Sequence, residues 1–329
     1  MKSFTDIGQF RSVIKSVKCS YDYQGQDEDD QPIFRHVNPY PTLKFIGTVK
    51  LHGTNAAIVK YKDGHYEFQS RERVLALGDD NSAFMLNLSK KNYQQLFDGI
   101  EFDDHCAIYG EWCGQGIQAG VAISKLPKMF VIFAVRIDNV YQDLGKYLHI
   151  HNNEENIYNI RQFEHYHLDI DFNNPEDVNN TLVDFTTAVE AQCPVGKHFG
   201  VEGVGEGIVW EYTDDTKRYI FKVKGEKHQS SKIKKLVSVD VEQIKGLKEF
   251  ASYAVTESRL NQGVDKLKEL NKPIDMTSTG EFLRWIVTDI IKEEQDTIVE
   301  NQIDPKKVNG FISSVARQWW FSYLDKQEY

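Results

Sequence analysis

Lys50 stands in Lys50-Leu51-His52-Gly53-Thr54-Asn55, a polar link between two apolar runs. A lysine amine attacks phosphorus only when neutral, so a nucleophilic lysine must have its pKa of about 10.4 lowered by burial or by neighbouring cations. Candidate cations lie far along the chain, at Lys222 and Lys224 in Phe221-Lys222-Val223-Lys224. On a strand these two lysines share one face and Phe221 and Val223 take the other. Like charges side by side call for an anion between them, and a phosphate suits that geometry. Arg71, in Ser70-Arg71, adds a planar donor for a phosphate or a ribose.

Two carboxylates complete the set. Glu111, in Tyr109-Gly110-Glu111, follows an apolar strand and can accept hydrogen bonds from ribose hydroxyls. Glu206, in Glu206-Gly207-Ile208-Val209-Trp210, is expected to share a strand face with Ile208 and Trp210. An acid among such neighbours needs a partner, either a magnesium ion with its waters or a lysine in a salt bridge. Phe133 lies in the apolar run Val131-Ile132-Phe133-Ala134-Val135, where it either packs in the core or offers a face for a base to stack on. Each feature alone has an ordinary structural explanation: a hairpin lysine, a strand-end acid, a core aromatic, a solvated charged face.

The elements that must position these residues are strands. Phe45–Val49 and Ala56–Tyr61 flank the Lys50 link, and Lys62-Asp63-Gly64-His65 reads as a turn into Tyr66-Glu67-Phe68. Residues 107–109, 130–135, 208–210 and 219–224 read as further strands, the last two joined across Thr213-Asp214-Asp215. Asn174-Pro175-Glu176 predicts an N-cap with Pro at the first helical position, opening a helix to about Glu190. Near residue 236 the apolar spacing becomes helical. Ser278-Thr279-Gly280-Glu281 has the form of a capping box ahead of Phe282, Leu283, Ile286, Val287, Ile290 and Ile291. Asp304-Pro305 predicts another helix start, with Val308, Phe311, Ile312, Val315, Trp319 and Tyr323 on one side. The expected organisation is α+β, with a strand-rich domain over 1–235 and a smaller all-helical domain over 236–329.

Composition fits a folded, intracellular protein. Of 329 residues, 40% are hydrophobic and 12% aromatic, too rich for a disordered chain. No run approaches the roughly 20 apolar residues of a membrane span, and the N-terminus lacks the apolar core of a secretory signal, so no membrane partner is expected. Cys19, Cys106, Cys113 and Cys193 contain no C-x-x-C pair, which points to free thiols in a reducing compartment rather than to a zinc knuckle. The net charge of −10 is an average over unlike segments. Acids gather at 22–30, whereas 217–235 holds Lys217, Arg218, Lys222, Lys224, Lys227, Lys232, Lys234 and Lys235 against Glu226 alone. A local basic stripe of this kind suits a protein that grips phosphates at one place. A monomer is the default expectation.

These blocks, in this order, resemble the covalent nucleotidyltransferases, and most closely the phage RNA ligase 2 and RNA-editing ligase family. Lys50-Leu51-His52-Gly53-Thr54-Asn55 resembles the first motif of that family and Ser70-Arg71 the next. Tyr109-Gly110-Glu111, Phe133, Glu206-Gly207-Ile208-Val209 and Lys222-Val223-Lys224 resemble the later ones. The resemblance spans about residues 42–228 and implies a nucleotidyltransferase domain of antiparallel sheets with flanking helices. It implies Lys50 as the residue that becomes lysyl-AMP, with Val49, Leu51 and His52 beside it at the nucleotide. It further implies Asn55 and Glu206 on the metal and its waters, Arg71 and Glu111 on the ribose, Phe133 on adenine, and Lys222 and Lys224 on the α-phosphate. The implied co-substrate is ATP with Mg2+ or Mn2+, and the implied partner is RNA with 3′-hydroxyl and 5′-phosphate ends, in the cytoplasm or a host's cytoplasm. Other members of the superfamily, DNA ligases and mRNA capping guanylyltransferases, are alternatives. They normally carry a strand-rich module after the last motif, where this chain reads as helices. A non-catalytic nucleotide- or RNA-binding protein is a further alternative. The acidic run at 22–30 and the Trp112–Gln118 stretch depart from the phage prototype.

Overall fold

The computed structural model describes residues 1–225 and 246–326. The chain divides into two compact units, Met1–Gly225 and Glu226–Tyr329. The expected boundary at 235/236, and Lys227, Lys232, Lys234 and Lys235 of the basic stripe, lie outside the described residues.

The first unit is α+β. After a short N-terminal segment, α1 (Phe10–Asp22) leads into a hairpin of β1 (Tyr23–Gln26) and β2 (Pro32–Phe34). The acidic run therefore forms a turn, in which Asp27 Oδ1 accepts the amides of Asp29 and Gln31, each at 2.9 Å. Next come β3 (Thr42–Val49), β4 (Thr54–Tyr61) and β5 (Tyr66–Ser70). The expected turn joins the last two, with Gly64 at φ 90° and its amide bonded to the Tyr61 carbonyl at 2.9 Å. The strands β6 (His105–Cys113), β7 (Met129–Ile137), β8 (Val140–Tyr141), β9 (Ile157–Asn159) and β10 (His165–Asp171) follow a short helix, α2 (Phe84–Leu88). Then come α3 (Asn179–Ala191), α4 (Pro194–His198), β11 (Gly207–Thr213) and β12 (Arg218–Lys224).

Two larger sheets result. One is antiparallel with order β10-β3-β11-β12; the other runs β5-β4-β6-β7-β8, with β9 parallel to β7. In the first sheet Phe45, Ile208, Trp210 and Phe221 point to one face and are fully buried there. Helix α1 covers β12 and α3 covers β11, with the Phe10 ring 4.7 Å from Phe221 and the Phe185 ring 5.9 Å from Trp210. Helix α1 places Phe10, Val13 and Val17 inward, at the three- and four-residue spacing of a helical face. The second sheet buries Phe68, Phe84, Trp112 and Phe130 on one side, and Trp112 Nε1 donates to the Ser82 carbonyl at 3.1 Å. Trp112 is thus a core residue. The expected helix after Asn174 opens instead as a 3-10 turn over Pro175–Val178, with no side-chain cap from Asn174. That side chain instead turns back to Asp171, its Nδ2 donating to Oδ2 at 3.4 Å.

The described residues of the second unit form helices: α5 (Leu247–Ala254), α6 (Glu257–Glu269), α7 (Thr279–Glu293), α8 (Gln295–Glu300) and α9 (Pro305–Asp325). Phe282, Leu283, Ile286 and Ile290 line the buried face of α7 as expected, with Val287 and Ile291 packed beside them. The capping box does not form. Ser278 has helical dihedrals (φ −87°, ψ 0°), and Asp275 caps the preceding turn by accepting the Thr277 amide at 2.9 Å. The start of α9 is as read, with Asp304 accepting the Lys306 amide at 2.9 Å. Its buried stripe is Val308, Ile312, Ala316, Trp320 and Leu324, while Phe311 is 41% exposed. The stripe follows strict four-residue steps, which turns Phe311 outward.

Candidate active site

The link from β3 to β4 is also the crossover from one sheet to the other, and Lys50 sits in it. Its amide donates to the Gly207 carbonyl at 2.8 Å, tying the end of β3 to the start of β11. Val49 and Leu51 on either side are buried, so their side chains serve the core. The amide of Gly53 donates to Glu111 Oε1 at 2.9 Å, which fixes the link to β6. A Cβ on Gly53 would fall 2.4 Å from the Trp112 carbonyl oxygen and 2.7 Å from the Cys113 side chain. The glycine is therefore required by the close approach of this strand, before any phosphate is considered.

Glu206 is the hub. It is 3% exposed and lies just before β11. Lys50 Nζ donates to its Oε2 at 2.6 Å, His52 Nδ1 lies 3.3 Å from the same oxygen, and Lys224 Nζ lies 3.0 Å from Oε1. Burial pushes the Glu206 carboxyl up, but the charges of Lys50 and Lys224 and the His52 contact outweigh it and hold the group well below the usual carboxylate range. The carboxylate is thus ionised and compensated.

The expectation that Glu206 shares a face with Ile208 and Trp210 is corrected. Gly207 has φ 150°, a conformation rare for residues with a side chain, and it breaks the two-residue alternation at the strand's first position. Glu206 consequently reaches Lys224, on the face opposite to the buried Ile208 and Trp210. Phe221 and Val223 are buried, so Lys222 and Lys224 do share the other face, as read from the sequence. Lys222 stands across from Val209 and Lys224 across from Gly207.

The second sheet brings the remaining residues to one face. Asn55 pairs with Glu111, and Ala57 with Tyr109 on one side and Gln69 on the other. Arg71 follows Ser70, which pairs with Ala56, and so continues that face at the Asn55 end. On β7 the register skips a residue: Tyr109 pairs with Ala134 and Gly110 with Ile132, leaving Phe133 as the extra residue of a β-bulge. The bulge releases Phe133 from the strict alternation of a core strand, and its ring packs against the cluster of Ala57, Val59, Ala107, Tyr109 and Ala134.

Lys50, His52, Glu206 and Lys224 therefore meet directly, Glu111 holds their loop, and Asn55 adjoins Glu111. Arg71 and Phe133 are engaged elsewhere. Arg71 Nη2 is in an ion pair with Asp6 Oδ1, and the Phe133 ring lies 5.0 Å from Phe4 in an edge arrangement. Sequence reading passed over Phe4 and Asp6, because an isolated aromatic and an isolated acid in a short aperiodic segment carry no pattern. It also passed over α1, although Phe10, Val13 and Val17 have helical spacing. The four cysteines are free, with Cys106, Cys113 and Cys193 buried, and burial pushes the Cys106 thiol up to about 12.

A two-sheet α+β unit with a lysine at the sheet crossover, clamped to a buried acid, defines the class of molecule. The RNA ligase family model matches residues 43–224, and the chain belongs to that family. Solved structures that match include a Naegleria gruberi RNA ligase with PPi, at 16% identity over 68% of this chain and 56% of that one, TM-score 0.43. A variant of the Naegleria gruberi RNA ligase with AMP and Mn matches at 17% identity over 69% of this chain and 56% of that one, TM-score 0.45. An archaeal ATP-dependent RNA ligase matches at 14% identity over 91% of this chain and 65% of that one, TM-score 0.41. The chain thus spans a little over half the length of the Naegleria structures. No curated protein sequence matches it.

Proposed function

We propose that this chain is an ATP-dependent RNA ligase that works through an adenylate on Lys50. The observation that carries the reading is the convergence of Lys50, His52 and Lys224 on the buried Glu206 at the sheet crossover, in a chain of the RNA ligase family. ATP is the co-substrate. Its triphosphate lies along the face of Lys222 and Lys224, which supply the positive charge an α-phosphate needs. Glu111 and Arg71 receive the ribose, and adenine lies on Phe133.

Glu206, with the Asn55 amide on β4, is a donor set that fits magnesium or manganese. Such an ion takes one or two carboxylates and fills its shell with water and phosphate oxygens. When bound it neutralises charge on the triphosphate and its leaving group. The residues of the chain do the rest. The Lys50 amine exchanges Glu206 for the α-phosphorus and attacks in line with the bond to pyrophosphate. The Lys50 ammonium gives one proton to solvent before attack, so that the amine is neutral; then a phosphorus–nitrogen bond forms, the phosphorus–oxygen bond to pyrophosphate breaks, and the nitrogen gives a second proton to solvent. His52 holds the freed carboxylate. The AMP then passes to a 5′-phosphate on RNA, which restores the Lys50 amine. An RNA 3′-hydroxyl attacks the activated 5′-phosphate and releases AMP. Each step is in-line phosphoryl transfer, in which positioning and charge neutralisation supply most of the acceleration.

The helices described in the second unit support an RNA ligase over a DNA ligase or capping enzyme, where a strand-rich module is expected. With ATP labelled on the α-phosphate, the wild-type protein should form a covalent adduct that the Lys50→Ala variant does not. An adduct on that variant, or a preference for GTP, would overturn the proposal. Joining assays on matched nicked-duplex, loop and single-stranded RNAs carrying a 3′-hydroxyl and a 5′-phosphate then identify the substrate.

A further inference from the structure

The N-terminal segment, residues 1–8, lies across the sheet face assigned above to the nucleoside. The Lys2 amide donates to Gln69 Oε1 at 2.9 Å, and the Tyr109 hydroxyl donates to the Lys2 carbonyl at 2.6 Å. The Phe4 ring sits 5.0 Å from Phe133, 5.3 Å from Tyr109 and 5.6 Å from Tyr141. The Thr5 amide donates to the Tyr141 hydroxyl at 3.1 Å, and its side chain accepts from Arg218 Nη1 at 3.1 Å. Asp6 pairs with Arg71. The segment is anchored at its far end, where Gly8 bridges to Phe221 and accepts the Lys222 amide at 3.1 Å.

From this arrangement we infer that residues 1–7 form a self-inhibitory strap that ATP must displace from the nucleoside face. The inference rests on the proposed function, since it assumes that Phe133 and Arg71 serve the nucleoside. Given that assumption, the same two side chains cannot serve both occupants. Phe4 takes the ring contact that adenine needs, and Asp6 takes the guanidinium that the ribose needs. The strap's hold is of a kind that can be released. Phe4 is only half-buried, and Asp6 and Arg71 are about half exposed, so their ion pair is weak in water. The anchor at Gly8 and the buried Phe10 of α1 stay in place while the segment before them swings out.

A strap that closes the site in most molecules raises the apparent dissociation constant for ATP by the reciprocal of the fraction of molecules that are open. Phe4→Ala and Asp6→Asn should therefore lower the ATP concentration giving half-maximal adduct, by roughly three- to tenfold for Phe4→Ala and by less for Asp6→Asn. The maximal rate should be unchanged in both. A second measurement uses Lys50→Ala, which binds without reacting: ATP should speed hydrogen exchange at the amides of residues 3–6. Slower exchange there with ATP, or a higher half-saturating concentration in the variants, would overturn the strap. Absence of any adduct on the wild-type protein would instead remove the proposed function, and the strap inference with it.

Discussion

Glu206 offers two carboxylate oxygens to three basic groups, and this one side chain decides whether the site is stable. Replacing it by Gln leaves Lys50 and Lys224 facing each other without an anion. Breaking a buried, compensated pair costs about 3 kcal/mol, so Glu206→Gln should lower the thermal unfolding midpoint and abolish the Lys50 adduct. The pH dependence has a definite sign. The folded carboxyl titrates below its unfolded value, so its stabilisation is complete above about pH 4.3, the ordinary glutamate value, and is lost as the pH falls through the depressed folded value. The stability gap between wild type and Glu206→Gln should thus be constant from neutrality to about pH 5 and shrink only in stronger acid. A gap that closed between pH 7 and 5 in denaturation curves would mean that Glu206 is not held ionised by its lysines.

At the scale of elements, the site depends on how strands start and cross. A Cβ at Gly207 would fall 2.2 Å from the Val223 carbonyl oxygen, and φ is 150° there. Gly207→Ala should therefore cost about 2 kcal/mol or more from backbone strain and overpacking. It should also turn Glu206 away from Lys224, so adduct formation should fall more than stability does. In the helical unit, α9 separates two residues that a broad reading of the apolar pattern puts together. Ile312→Ala should cost about 2–5 kcal/mol by leaving a cavity, whereas Phe311→Ser should cost only about 1 kcal/mol because that residue is already 41% exposed. Equal losses in thermal denaturation would contradict the observed stripe.

At the scale of the molecule, the charge of −10 coexists with a site whose ligand-facing strand carries Lys222 and Lys224. Local placement, not the total, sets the attraction for phosphate. The lysine, the acid hub and the paired cations all belong to the unit Met1–Gly225. A chain ending at residue 235 should accordingly retain adduct formation with labelled ATP. Loss of RNA joining in that truncation would assign the helical unit to positioning the nucleic acid, and unimpaired joining would free it of that role.

The amino-acid sequence by itself determined the chemistry available. The lysine in its short motif, the two carboxylates, and the alternation that puts Lys222 and Lys224 on one strand face are local patterns, legible because strands have a period of two. The α+β order and the helical tail followed from the same periodicities, of two and of 3.6. Tertiary structure decided the partnerships. Glu206 stood in the sequence as either a metal ligand or a salt-bridge acid, and only the meeting of β3, β11 and β12 at the crossover shows it clamped by Lys50 and Lys224. The backbone conformation of Gly207, which no residue pattern announces, moves Glu206 to the other face. The β-bulge at Phe133 and the strap that carries Phe4 and Asp6 over it leave no periodic trace. The bulge arises from the pairing of strands more than twenty residues apart and the strap from contacts more than sixty residues apart, which no local pattern encodes.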